Sequence, residues 1–159
     1  QLTSEYVGEV ELRQLPEVVT NVADVNEYDV VVVLSGPEPQ RSFLEDLIIN
    51  QAKKLQLKFY VVQGKTEVKK IQQPFKNIDV VSFLTSKDLN EAILASNIVI
   101  CRSGYSSLMD LAKLGKKAIL IPTPGQTEQE YLAFYHKKNK LFFVQEQCDI
   151  NLKKVLDKL

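Results

Sequence analysis

One histidine, two widely separated cysteines and no excess of either charge leave this 159-residue chain without the means for several common chemistries. Lys+Arg and Asp+Glu number 20 each. A general nucleic-acid binder needs a basic excess, so that class is set aside. A small anionic ligand stays open, because backbone N–H groups bind phosphate without net positive charge. Cys101 and Cys148 make neither a disulfide framework nor a zinc spacing. Cys101 closes an apolar run and reads as a buried, reduced thiol, with a pairing to Cys148 left open. His136 stands beside Lys137 and Lys138 late in a helix and reads as a surface residue, not a catalytic base. No D-x-D, P-loop or G-x-G-x-x-G occurs, so no metal site is expected and a classical NAD site is not expected either. No run approaches the ~18 apolar residues of a spanning helix, and there is no signal peptide. The expected compartment is the cytoplasm. A chain that begins at Gln1 reads as part of something longer.

What is present is an alternation of strands and helices over a length that suits one domain. Asp29–Leu34 is a continuous, β-branched run of the kind buried on both sheet faces. Residues 35–40 carry Gly36, Pro37 and Pro39 and read as loop. Further strands are expected at 57–62, 78–81, 97–101, 117–121 and 141–144, and helices at 41–55, 88–95, 106–114, 128–138 and 151–158. Gly115 is placed to stop the helix before it. The polar, Lys-rich stretch 63–77, with Pro74, reads as loop. Such alternation with short links predicts an α/β domain: a Rossmann-like parallel sheet with helices on both faces. The first ~25 residues read less clearly, and boundaries carry errors of ~2–4 residues.

Ligands of open parallel sheets bind at the carboxyl ends of the strands. Three post-strand loops therefore matter. In Arg102–Ser107, Gly104 permits close approach of the backbone. Ser106 and Ser107 open a helix whose free N–H groups favour a phosphate. Asp110, in its first turn, is placed to accept hydrogen bonds from a vicinal diol such as ribose. A capping-box-like pair, Ser107 with Asp110, explains the same residues. In Pro122–Glu130, Gly125, Gln126, Glu128, Gln129 and Glu130 crowd a helix start. Amides and carboxylates suit sugar hydroxyls, while Thr127 with Glu130 equally fits a capping box. In Ser35–Arg41, Gly36 allows close approach but two prolines lack N–H donors. Arg41 is the available charge there, or simply a solvated residue at a helix start.

Taken together, Ala95–Asp110 (ASNIVICRSGYSSLMD) and Leu114–Tyr131 (LGKKAILIPTPGQTEQEY) resemble the C-terminal domain of glycosyltransferase family 28. The resemblance spans roughly residues 28–147 and is densest over 95–133. It implies the donor-binding half of a two-domain GT-B enzyme, with residues 1–159 one nucleotide-sugar-binding domain. Residues 1–27 then lead in from an N-terminal acceptor domain. By that resemblance Ser103 and Gly104 contact phosphate through their backbone, joined by Gly36, Arg41, Arg102, Ser106 and Ser107. Phe83-Leu84 holds uracil, Asp110 stands where the family has a ribose-binding glutamate, and Gln129 with Glu130 takes the sugar. The implied donor is a UDP-sugar, for instance UDP-N-acetylglucosamine, with no further cofactor. The implied activity is inverting, metal-independent hexosyl transfer whose base comes from the other domain, so no catalytic residue is named. The isolated domain is expected to be inactive, and any membrane association to be peripheral and carried by the acceptor domain. Two alternatives stand beside this: a separate nucleotide-sugar-binding subunit docking on a membrane partner, and a UDP-sugar 2-epimerase-like enzyme.

Overall fold

The structure, a computed structural model, describes residues 28–65, 69–135 and 142–159, with no side-chain description for residues 105–108 and 110. The lead-in segment 1–27 and His136 lie outside the described residues. In chain order the elements are β1 (Val30–Val33), α1 (Gln40–Ala52), β2 (Phe59–Val62), β3 (Ile71–Phe75), β4 (Ile78–Val81), α2 (Ser86–Leu94), β5 (Ile98–Cys101), α3 (Tyr105–Leu114), β6 (Lys117–Leu120), α4 (Thr127–Tyr135), β7 (Phe142–Val144), a 3-10 turn (Gln147–Asp149) and α5 (Leu152–Asp157).

The strands form one sheet in the order β3-β4-β2-β1-β5-β6-β7. All neighbours pair in parallel except β3 with β4. The apolar runs that read as strands are buried in its centre, and their alternate residues feed two cores. Val30 and Val32 point to one face with Phe59, Val61, Ile100 and Ile119, under Leu44 and Ile48 of α1 and Leu152 and Val155 of α5. Val31 points to the other face with Val81, Val99 and Leu120, under Leu89 and Ile93 of α2 and Leu111 of α3. Helices on both faces follow from connection handedness. The chain leaves β1 toward β2 and later returns past it to β5, so right-handed crossovers put α1 and α2 on opposite sides.

β3 corrects the loop expected over 63–77. It is an antiparallel edge strand with every residue exposed and a register shift between Gln72 and Phe75. Pro74 is tolerated there because an edge strand can do without one ladder N–H. Elsewhere the expected elements are present with their described ends within three residues of expectation, while the expected end of the helix at 138 and start of the strand at 141 lie outside the described residues. At α2 the helix starts earlier than expected because Thr85 caps it, its side chain accepting from the backbone N–H of Asp88 at 3.2 Å.

Gly115 ends α3 in the left-handed conformation, at φ 65°. Lys116 then reaches back across the fold. Its ammonium donates to the carbonyls of Leu94 (3.1 Å) and Ser96 (2.7 Å), satisfying the end of α2, while partial burial lowers its pKa. Both cysteines are free, Cys101 buried and Cys148 exposed, which removes the pairing left open above. Burial pushes the Cys101 thiol up to about 12, and only the thiolate is nucleophilic. Iodoacetamide at neutral pH is therefore expected to label one thiol in the native protein, Cys148, and two in denaturant. Mass mapping of the alkylated peptides reads this out, and native labelling of Cys101 would contradict the packing of β5.

Candidate functional site

The order of the strands reverses direction between β1 and β5: β2 lies on one side of β1, and the chain crosses back to place β5 on the other. The crevice outside the carboxyl ends of two such strands is where open α/β sheets bind ligands. Two of the three loops singled out in the sequence, after β1 and after β5, flank this switch point. The third follows β6, the next strand along.

The loop after β5 opens into α3 through Gly104, which is the helix N-cap in extended conformation and carries no side-chain cap. This overturns the capping-box reading of Ser107 with Asp110. The helix begins at Tyr105, so Ser107 lies inside its first turn, and an N-cap must precede the turn whose N–H groups it satisfies. No atom lies within 4 Å of where a Gly104 Cβ would stand. The backbone at the start of α3 can thus be approached from the side a Gly104 side chain would occupy. Side-chain positions for Ser106, Ser107 and Asp110 lie outside the described residues.

Arg102 and Ser103 are spent inside the protein. Arg102 is only 2 % exposed. Its Nη1 donates to the carbonyls of Ile121 (3.2 Å) and Pro122 (3.3 Å), and its Nη2 to that of Gln40 (3.2 Å). Burial holds its pKa down to about 10, so it stays a cation at neutral pH. Ser103 is fully buried, and its hydroxyl donates to the Gln129 carbonyl in the first turn of α4 at 2.8 Å. Gln129 in turn folds its side chain back, Oε1 accepting from the Thr123 N–H at 2.8 Å.

The loop after β6 also departs from its expected cap. The Glu130 N–H donates to the Gln126 carbonyl at 3.0 Å, so Gln126 precedes the helix and Thr127 lies within it. The T-x-x-E frame is off by one residue. Gly125, at φ 83°, Gln126, Glu128 and Glu130 are exposed. Glu130 also lines a groove of about 930 Å³ between α4 and the segment from β7 to α5.

After β1, Gly36 takes φ 93°, and a Cβ there would come within 3.9 Å of the Thr123 hydroxyl. Arg41 is held by the Gly64 carbonyl (3.3 Å) and by Glu38 (3.5 Å). Two hydrogen bonds from Ser42, with Arg41 a smaller influence, lower the Glu38 pKa. Leu84, after β4, is half-buried against the α2 core.

Thr123 is the residue the sequence did not mark. It is buried, close to Gly36 and bonded through its N–H to Gln129, and among the described residues its hydroxyl has no partner. The Nε atoms of Arg41 and Arg102 are likewise buried and unpartnered. Three uncommitted polar atoms therefore belong to residues of the loops at these strand ends. A buried polar atom without a partner is uncommon and points to a group that completes it.

The fold is a Rossmann-like α/β domain of the kind found in GT-B glycosyltransferases. Residues 30–159 match the glycosyltransferase family 28 C-terminal domain, and the chain belongs to that family. Among curated relatives is a UDP-N-acetylglucosamine--N-acetylmuramyl-(pentapeptide) pyrophosphoryl-undecaprenol N-acetylglucosamine transferase of Sulfurihydrogenibium sp. It is 27% identical over 137 residues, covering 83% of this chain and 38% of that protein. The protein of the same name from Flavobacterium psychrophilum is 35% identical over 88 residues, covering 53% of this chain and 23% of its own length. The chain thus spans well under half of each relative. Among solved structures, Acinetobacter baumannii MurG superposes with a TM-score of 0.63 at 16% identity, over 89% of this chain and 42% of that one. The glycosyltransferase SnogD of Streptomyces nogalater gives 0.57 at 12% identity, over 83% and 35%. Among the described residues no helix is long and apolar enough to cross a membrane.

Proposed function

We propose that this domain binds the donor of a glycosyltransferase, a UDP-hexose such as UDP-N-acetylglucosamine, for inverting, metal-independent transfer to an acceptor hydroxyl. The observation that carries the reading is the start of α3 at Gly104, without a side-chain cap and with room where a side chain would stand, beside the β1/β5 switch point. A helix N-terminus offers about half a positive charge and several free N–H groups. It stabilises a diphosphate most when charge builds on it as the glycosidic bond breaks. Asp110 holds the ribose diol, the backbone near Leu84 the base, and Gln126, Glu128, Gln129 and Glu130 the hexose. The base that deprotonates the acceptor belongs to an acceptor-binding domain or subunit, which also carries any peripheral contact with the cytoplasmic face of a membrane.

Thermal unfolding with UDP, UDP-N-acetylglucosamine and NAD tests this. A ligand at 100 times its Kd stabilises by about 2.7 kcal/mol, and a uridine nucleotide is expected to raise the midpoint where NAD does not. No shift with either uridine nucleotide at millimolar concentration would remove the proposal's main support. Asp110→Ala is expected to weaken UDP binding by about 10- to 100-fold, the worth of charge-assisted hydrogen bonds, with little change in the ligand-free midpoint. The opposite pattern, lost stability with affinity intact, assigns Asp110 to the helix instead.

A further inference from the structure

We propose that Arg102 is the positioning residue of this donor site. Its guanidinium latches the loops after β1, β5 and β6 together. It also leaves beneath them a positive charge that favours a diphosphate over a less charged nucleotide. The inference rests on the donor-site reading above and adds a residue that acts without direct contact.

The geometry of the latch is specific. Arg102 belongs to the loop after β5, yet its donors end on Gln40, at the start of α1, and on Ile121 and Pro122, after β6. One planar group thereby ties its own loop to segments 19 and 62 residues away in sequence. Ser103 and Gln129 reinforce the same closure between the second and third loops. Lysine offers a single ammonium and cannot reproduce this fork.

The charge is the less expected part. All of its hydrogen bonds go to carbonyls, and among the described residues no carboxylate pairs with it. The ion pair at these loops is Arg41 with Glu38. Burying a cation without a counter-ion is costly, and a neutral side chain of similar size often serves structure better. A charge kept under such conditions calls for an anion, and the N-cap of α3, Gly104, is two residues further along the chain. The unpartnered Nε of Arg102 and hydroxyl of Thr123 independently mark this floor as built for a polar occupant above it. Beneath a protein surface a fixed charge acts over several ångströms without contact.

The test compares Kd values for UDP and UMP, by calorimetry, in the wild-type chain, Arg102→Met and Arg102→Lys. The wild type is expected to prefer UDP by about tenfold or more, the scale of a charge interaction at intermediate dielectric. Arg102→Met is expected to lose most of that preference while UMP binding changes far less. Arg102→Lys keeps the charge but not the fork, so it should retain the preference while binding both nucleotides more weakly. A folded Arg102→Met with the wild-type preference, or with equal losses for both nucleotides, overturns the electrostatic role. If Arg102→Met does not melt cooperatively, Arg102→Lys decides. A retained preference supports the proposal, and a folded variant without it refutes it. A wild-type chain that binds neither nucleotide instead refutes the donor-site reading itself.

Discussion

Gly64→Ala is expected to destabilise the domain by about 2–4 kcal/mol, combining backbone strain with overpacking. Gly64 follows β2 at φ 73°, and a Cβ on it would stand 2.4 Å from the Leu34 carbonyl oxygen. Backbone, not a flexible side chain, is what it meets. Neither partner is free to retreat. The Leu34 N–H donates to the Val62 carbonyl (2.9 Å) and the Gln63 N–H to that of Val81 (2.9 Å), which continues the parallel ladders past the strand ends. The Gly64 carbonyl also anchors Arg41, so the strain would spread into the loop that carries Gly36. At ~2–4 °C per kcal/mol for a domain of this size, the melting midpoint should fall by roughly 5–15 °C. A midpoint within 2 °C of wild type, within the scatter expected of a surface substitution of about 0.5 kcal/mol, would show that the Leu34–Gly64 contact relaxes freely.

Phe59→Ala should cost about as much or more, roughly 3–5 kcal/mol. Phe59 is fully buried on β2, in register with Val30 of β1 and Ile78 of β4, and packs in the core covered by α1 and α5. Neighbours held in parallel ladders on both sides can collapse only partly into the space left, so the cavity adds to the lost transfer energy. Phe75, on the edge strand β3, 38 % exposed and with the Lys53 ammonium over its ring, is the internal control and should cost much less, about 1 kcal/mol, when replaced by alanine. Urea titration reads both. The Phe59→Ala midpoint should fall at an unchanged m-value, and equal effects at the two positions would contradict the assignment of β2 to the centre and β3 to the edge.

The contrast between those two phenylalanines shows where sequence reading worked. Val30–Val33 and Ile98–Cys101 are buried on both faces, so their unbroken apolar runs marked them as central parallel strands. β3 shows no such run, because it is exposed throughout and its strand character comes from pairing with β4. Nothing local signals that pairing. The post-strand loops were visible for the same local reason, as glycine and proline between apolar runs. The division of labour within them was not visible. Arg102, Ser103 and Gln129 look like ligand residues in the sequence, yet they bond mainly to one another's loops. Thr123, unremarkable in sequence, carries a buried hydroxyl without a partner among the described residues.

The sequence by itself therefore determined an α/β domain with helices between parallel strands, the stop of α3 at Gly115, and the positions of the loops that follow the strands. Hydrophobic period and glycine placement encode those locally. Only the tertiary structure decided which strands flank the switch point, that α3 starts uncapped at Gly104, and that one buried arginine ties three loops together. Each of these depends on contacts between residues far apart in the chain, and such contacts leave no periodic trace in the residues that make them.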